Sequence, residues 1–316
     1  MRRVQGLSRP LLNARLLRSA SPPIPSPAPS SSSLLRPPPS SWLSRLGANS
    51  REFLLPANGV LSSSFATAGA AAMAREAIPS FSMKELVLYQ YAACPFCNKV
   101  RAFLDYNKLP YKVVEVNPIS KKEIKWSEYK KVPVVVLDGK QLNDSFQIIE
   151  TLQQRINPTE ENSTGSAVVE EKEWCRWVDN HLVHVLAPNI YRSPSEALES
   201  FDYITTLGNF TTLERWTAKY AGAAAMYLVS KKLKKKHNIT DERAALYAAA
   251  NTWIRALNDR QFMGRNKPNL ADLSVFGVLR PIWKLQSGMD LAKNTGIGAW
   301  YKRMETEVGE SSEVKD

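Results

Sequence analysis

The sequence predicts a small α/β domain followed by an all-α domain, both behind a long leader that has no core of its own. Three observations carry that prediction. Short β-rich runs alternate with helical runs only between about residues 81 and 156. Everything after residue 166 reads helical, with no period-two alternation. Residues 1–75 hold nine Arg, no Lys and the single acid Glu52, among many Ser and Pro.

The α/β elements follow in order. Residues 85–90 read as a buried strand, and Cys94 opens a helix that runs to residue 109 and stops at Pro110. Residues 111–116, rich in β-branched side chains, form a second strand, and 121–129 a short helix. Residues 132–137 form a strand entered through Pro133, and Asp138-Gly139 is a hairpin turn leading into a short strand at 140–142. A helix at 145–154 closes the domain. The order β-α-β-α-β-β-α, with a Cys pair at the start of the first helix, is that of the thioredoxin fold. Residues 157–166 form a Pro/Gly/Asn/Ser-rich linker. Helices are predicted at 170–185, 193–198, 213–236, 241–257, 270–285 and 299–307, in a domain spanning 167–308. The last residues, 309–316, read as a disordered tail. A thioredoxin-like domain followed by an all-α domain is the arrangement of glutathione transferases.

Charge narrows the partners. The formal net charge is +12, but residues 1–75 hold +8 of it and the other 241 residues only +4, so the basic excess belongs to the leader and a nucleic-acid protein is a poor fit. An Arg- and Ser-rich, acid-poor leader with Leu12 and Leu16 on one helical stripe reads as an organellar transit segment. A mitochondrion is expected, with a plastid as the alternative and a merely disordered tail as the bland account. No run of 18 apolar residues is uninterrupted, so a spanning helix is not expected, while peripheral membrane contact stays open.

The chemistry centres on Cys94-Pro95-Phe96-Cys97. Three Cys are too few for a disulfide framework. At a helix N-terminus the unpaired N–H groups and the dipole stabilise a thiolate at Cys94. Cys97, one turn deeper, can resolve a mixed disulfide. A metal site would need further ligands, and Cys175 stands alone, so no metal is expected. Pro133 is expected to be cis, with Val132 presenting its backbone to a peptide-like ligand; an ordinary strand-entering proline is the alternative. Asn143-Asp144-Ser145 precedes a helix whose N-terminus suits a carboxylate, while Asp144 suits an ammonium, the two groups of the γ-glutamyl end of glutathione. Simple N-capping is the competing account. Tyr91 and Phe96 flank the thiols and line either a substrate slot or the core. His181 and His184 share a helical face that meets either a ligand or solvent. The Lys-rich run 231–236 reads as a solvated helix end, and Asn269 with Asp272 as a helix cap.

The segments from Tyr91 to Asp105, Leu109 to Pro118, Gln141 to Ser145, Phe201 to Ile204, Gly222 to Leu228 and Lys267 to Leu273 resemble the membrane-associated prostaglandin E synthase type 2 family, over roughly residues 86–303. The resemblance implies isomerisation of prostaglandin H2 to E2 with glutathione, and haem in some forms. It implies that Cys94 is the essential thiol with Cys97 its neighbour, and that Tyr91 and Phe96 line the pocket. Val132, Pro133, Asp144 and Ser145 would hold glutathione, and His184 would form the haem-side wall. Two family arginines on the long helix stand here as Lys232 and Lys236, which keep the charge but lose the planar fork. An apolar peroxide or lipid-derived substrate and a homodimer are the expected partners. A glutaredoxin-like thiol-disulfide oxidoreductase, and a haem- or glutathione-binding protein without turnover, remain the rival functions.

Overall fold

A computed structural model describes residues 83–158, 165–205 and 210–315. The leader and most of the linker lie outside the described residues. Within them, β1 (Leu86–Gln90), β2 (Lys112–Glu115), β3 (Val134–Leu137) and β4 (Lys140–Asn143) form one sheet in the order β2-β1-β3-β4. β1 runs parallel to β2 and antiparallel to β3, and β3 pairs antiparallel with β4. The parallel pair is joined through α1 (Pro95–Tyr106), as a parallel connection requires. Leu86, Leu88 and Gln90 alternate inward along β1, so the strand drives the core and ends on a buried amide. The β3–β4 turn has Asp138 at φ 50° and Gly139 at φ 82°, the positive pair that a two-residue hairpin needs.

α2 (Ser145–Ile156) closes the first domain and packs on α1. The second domain contains α3 (Ser166–Trp177), α4 (Val183–Ile190), α5 (Pro194–Glu199), α6 (Thr212–Lys236), α7 (Glu242–Leu257), α8 (Leu270–Trp283), α9 (Gln286–Asn294) and α10 (Ile297–Val308). A π-turn, Val178–Leu182, joins α3 to α4, so what the sequence suggested as one helix is a longer one with a bulge. That bulge presents Asp179 to the buried ammonium of Lys99 on α1, 2.6 Å away. α8 is buried along nearly its whole length and lies against α1, with Asn269 and Asp272 forming the expected capping box. At Gly277 an added Cβ would meet backbone atoms of Asn98 and Lys99, so the two domains touch through main chain at this point.

Four expectations need correction. The helix expected at 121–129 is only a 3₁₀ turn, Lys122–Ile124. The Asn117 side chain accepts the N–H groups of Ile119 and Ser120, and Lys121 sits at φ 48°, so the backbone bonds go into a turn. The helix from Cys94 stops at Tyr106, three residues early, because the Asn107 side chain bonds back to the Phe103 carbonyl and Lys108 turns left-handed. α9 was not foreseen; its Gly288 is required where the end of α8 approaches closely. The tail is ordered over 309–315. Val314 N–H donates to the Tyr111 carbonyl at 2.8 Å, Glu313 pairs with Arg101 at 2.8 Å, and Ser312 N–H donates to the buried Asp105 carboxylate. No apolar pattern announces this docking, since polar side chains hold it.

Candidate active site

Cys94 is the N-cap of α1, in extended conformation with Pro95 at the first helical position. The turn ahead of it is closed by Cys94 N–H donating to the Tyr91 carbonyl at 2.9 Å. Asn98, one turn on, donates its side-chain N–H to the Ala92 carbonyl at 2.7 Å and the Cys94 carbonyl at 3.0 Å. Cys94 is therefore held from both sides. Cys94 is half-buried and Cys97 fully buried.

The two thiols are driven apart. A hydrogen bond from Cys97 lowers the Cys94 pKa, and the backbone N–H groups of Phe96 and Cys97 add to it, against the opposing effect of burial. Burial, then the bond to Cys94, pushes Cys97 well up. Such a split assigns the thiolate to Cys94 and the proton to Cys97. Cys175 is a different case. It is buried on α3 beside Ser274, and burial pushes its thiol up to about 12, so it is inert.

The residues expected to hold glutathione fall on two loops. The Val132–Pro133 peptide is cis, and Val132 lies just outside the ladder, whose first pair is Val134 with Asn143. Asp144 is exposed at φ 68° and caps α2, accepting Phe146 N–H at 2.9 Å and Gln147 N–H at 3.4 Å. Ser145 is buried at the first position of that helix. The competing capping account thus holds in geometry, and Asp144 keeps a second oxygen for a ligand. Tyr129 ties this loop to the thiols: its pKa is raised by burial, then by the charges of Asp144, Cys94 and Cys97.

Tyr91 and Phe96 are half-buried beside the thiols, and Phe96 also packs on the core. Burial, then the Cys94 charge, pushes Tyr91 up to about 12. The structure adds three residues that sequence reading did not single out. Tyr191, at the end of α4, is pushed up to about 12 by burial and then by Cys94. Tyr203, in the 3₁₀ turn Asp202–Thr205, is raised well above its ordinary range by burial, Glu115, Tyr191 and Cys94. Both belong to the helical domain, and nothing in their sequence spacing relates them to Cys94. The third, Glu115, ends β2.

His184 lies in the helical domain. Its ring stacks on His237 with centroids 4.4 Å apart, at the C-terminal end of α6, and His181 lies against Trp177. Burial, His237 and Lys236 lower its pKa, so the imidazole is neutral at pH 7. Among the described residues no cluster of His, Cys, Asp and Glu could hold a metal ion.

A thiol at the N-terminus of α1, a cis-proline loop and an all-α second domain define a protein of glutathione-transferase type. The family model described as "Glutathione S-transferase, N-terminal domain" matches residues 88–160. The chain is 45% identical over 265 residues to "Prostaglandin E synthase 2" of Danio rerio, covering 70% of each. It is 44% identical over 283 residues to the protein of that name from Mus musculus, covering 75% of this chain and 74% of the other. Among solved structures, human glutathione transferase theta-2 aligns with a TM-score of 0.49 at 16% identity, covering 71% of this chain and 82% of that one. The chain belongs to the prostaglandin E synthase 2 family.

Proposed function

We propose that the chain is a glutathione-dependent isomerase that converts prostaglandin H2 to prostaglandin E2 with Cys94 as its nucleophile. The observation that carries this reading is Cys94 at the N-cap of α1 with its pKa lowered and that of its hydrogen-bonded neighbour Cys97 raised, within electrostatic reach of Tyr91, Tyr191 and Tyr203. The Cys94 thiolate attacks one oxygen of the weak O–O bond. An S–O bond forms, the O–O bond breaks, and the second oxygen leaves as an alkoxide that takes a proton. Loss of the hydrogen on the carbon bearing the sulfur-bound oxygen makes the C=O bond, breaks S–O and returns the thiolate. No oxidant is consumed. Tyr91, Tyr191 and Tyr203 keep their protons and are hydrogen-bond donors suited to developing oxyanions. Glutathione, held by the Val132 backbone, Asp144 and the N-terminus of α2, supplies a second thiol that keeps Cys94 reduced. Purified chain with prostaglandin H2, with and without glutathione, tests this by chromatography of products. The account expects glutathione-dependent prostaglandin E2 and fails if the products match those formed in buffer.

The same thiol pair favours one alternative, reduction of glutathione mixed disulfides. Haem is a further proposal: the neutral His184 and His237 imidazoles, with Lys236 close by, are donors of the kind that meet an iron and a propionate. The isomerisation does not pass through that group. No helix of the described residues is long and apolar enough to cross a membrane. Leu213, Trp216, Tyr220 and Leu228 of α6 are exposed, surface that a homodimer or peripheral membrane contact would cover. Import into the mitochondrion, or a plastid, remains a proposal resting on residues 1–75. N-terminal sequencing of protein from isolated organelles tests it, and an intact Met1 there would count against it.

A further inference from the structure

The carboxylate of Glu115 is not used by the isomerisation, yet it is built into the turn that presents Cys94. Its Oε1 accepts Ala92 N–H at 2.7 Å, and its Oε2 accepts the Gln90 side-chain N–H at 3.2 Å. Ala92 is the same residue whose carbonyl Asn98 holds at 2.7 Å, so the turn ahead of the nucleophile is clamped at both of its polar groups. Gln90 is 2% exposed, so the amide that holds Oε2 of Glu115 is itself fixed in the core.

The charged and titratable groups facing Glu115 come from several neighbouring elements. They are Tyr91 in the turn, Cys94 and Cys97 at the start of α1, Arg101 further along it, Glu313 in the tail, and Tyr203 from the helical domain. Arg101 is the one cation in this set, and it is committed to Glu313 at 2.8 Å and to the Tyr111 hydroxyl at 3.2 Å. A partly buried carboxylate in that setting acts on both thiols through its charge, as a smaller effect than their mutual hydrogen bond.

We propose that Glu115 is a positioning residue of the thiol site: its carboxylate clamps the Ala92 amide so that Cys94 is presented correctly, and its charge opposes that of a Cys94 thiolate. The proposal rests on the reading of Cys94 as the reactive thiol. It acts through Cys94 and needs no contact with substrate. Burial pushes the Glu115 carboxyl up to about 7 against the pull of its two hydrogen bonds, so its charge changes near neutral pH. Ionised Glu115 raises the Cys94 pKa; protonated Glu115 relaxes that effect. The reactivity of Cys94 should therefore show a second inflection near pH 7 beside its own titration.

Alkylation of full-length protein by iodoacetamide over about pH 5 to 9, with Cys94 followed by peptide mass spectrometry, tests this. Glu115→Gln keeps an acceptor for Ala92 but removes the charge. It should abolish the inflection near pH 7 and lower the apparent pKa of Cys94, with the circular dichroism unchanged. Glu115→Ala removes the clamp as well and should slow alkylation roughly tenfold, a loss that Gln at the same position restores. Should the variants not fold, infrared difference spectra of the wild type decide: a protonated carboxyl band must disappear as the pH passes about 7. A Gln profile identical to the wild type, or no such band, overturns the proposal. A wild-type Cys94 no more reactive than a free thiol would sink the thiolate reading itself, a distinguishable result.

Discussion

Gly277→Ala is the substitution whose outcome the packing fixes most firmly. A Cβ at this position would lie 2.5 Å from the Lys99 Cα, 2.8 Å from the Asn98 carbonyl oxygen and 2.9 Å from the Lys99 nitrogen. All three are backbone atoms of α1, so no side chain can swing away. Restoring ordinary carbon–carbon contact at about 3.5 Å requires the two helices to part by roughly 1 Å. Overpacking of this kind costs about 1–3 kcal/mol, and rigid backbone places it near the upper end. Alanine in place of glycine within a helix returns about 1 kcal/mol. The net loss is therefore roughly 2 kcal/mol, which in a protein of this size lowers Tm by about 4–8 °C. Gly298→Ala is the control, because its nearest neighbour, Ala292, lies at an ordinary 3.7 Å. Differential scanning calorimetry should show Gly277→Ala falling and Gly298→Ala holding or rising slightly. Since α1 carries both active-site thiols, the rate of Cys94 alkylation should drop with it. A Gly277→Ala protein as stable as the wild type would refute the claim that the domains meet through main chain.

Three further predictions follow from the polar contacts. Asp105 is fully buried and receives Arg280 at 2.8 Å, the Tyr111 hydroxyl at 2.9 Å and Ser312 N–H at 3.0 Å. Asp105→Ala should cost about 3–5 kcal/mol in urea unfolding, because it leaves the charge partner Arg280 uncompensated; a loss under about 1 kcal/mol would contradict the network. Asp144→Asn keeps the α2 cap but removes the charge, so glutathione affinity by calorimetry should fall roughly tenfold or more in a folded protein. Unchanged affinity would leave Asp144 as a cap alone. For Glu115 the folded-state pKa, about 7, exceeds its ordinary value of 4.5, so the folded protein binds the proton more tightly and stability is lost as pH rises through 7. That loss is roughly 2–4 kcal/mol between about pH 4.5 and 8, and Glu115→Gln should remove most of it; an equal slope in both proteins would contradict the burial of this carboxyl.

Much of this molecule is legible in the chain because its cues are local. The apolar run of β1, the Asp138-Gly139 turn, the Cys94-Pro95 helix start and the Asn269–Asp272 box each declare themselves within a few residues. Where the deciding contact is distant, the sequence is silent. Glu115 looks like one more strand residue until Ala92 and Gln90 are seen to hold it. Tyr191 and Tyr203 come within reach of the Cys94 charge only through the packing of the helical domain on the first. The tail looked featureless because its docking rests on Asp105, Arg101 and Tyr111, about 200 residues away in the chain. The helix expected at 121–129 failed for a local reason instead: Lys121 turns left-handed at its start, and the N–H groups of Ile124, Lys125 and Ser127 donate to carbonyls three residues back, as in a 3₁₀ turn.

The central claim, that one thiolate at Cys94 carries the chemistry while Cys97 only polarises it, is tested most directly by turnover of paired variants. Prostaglandin H2 conversion is followed with glutathione present for Cys94→Ser and Cys97→Ser, with circular dichroism confirming the fold. The account predicts no prostaglandin E2 formation from Cys94→Ser and largely retained formation from Cys97→Ser, whose hydroxyl can still donate to the thiolate. Loss of turnover in a folded Cys97→Ser protein would contradict it and make a dithiol oxidoreductase the better account, and full turnover in a folded Cys94→Ser protein would remove the thiol from the reaction altogether.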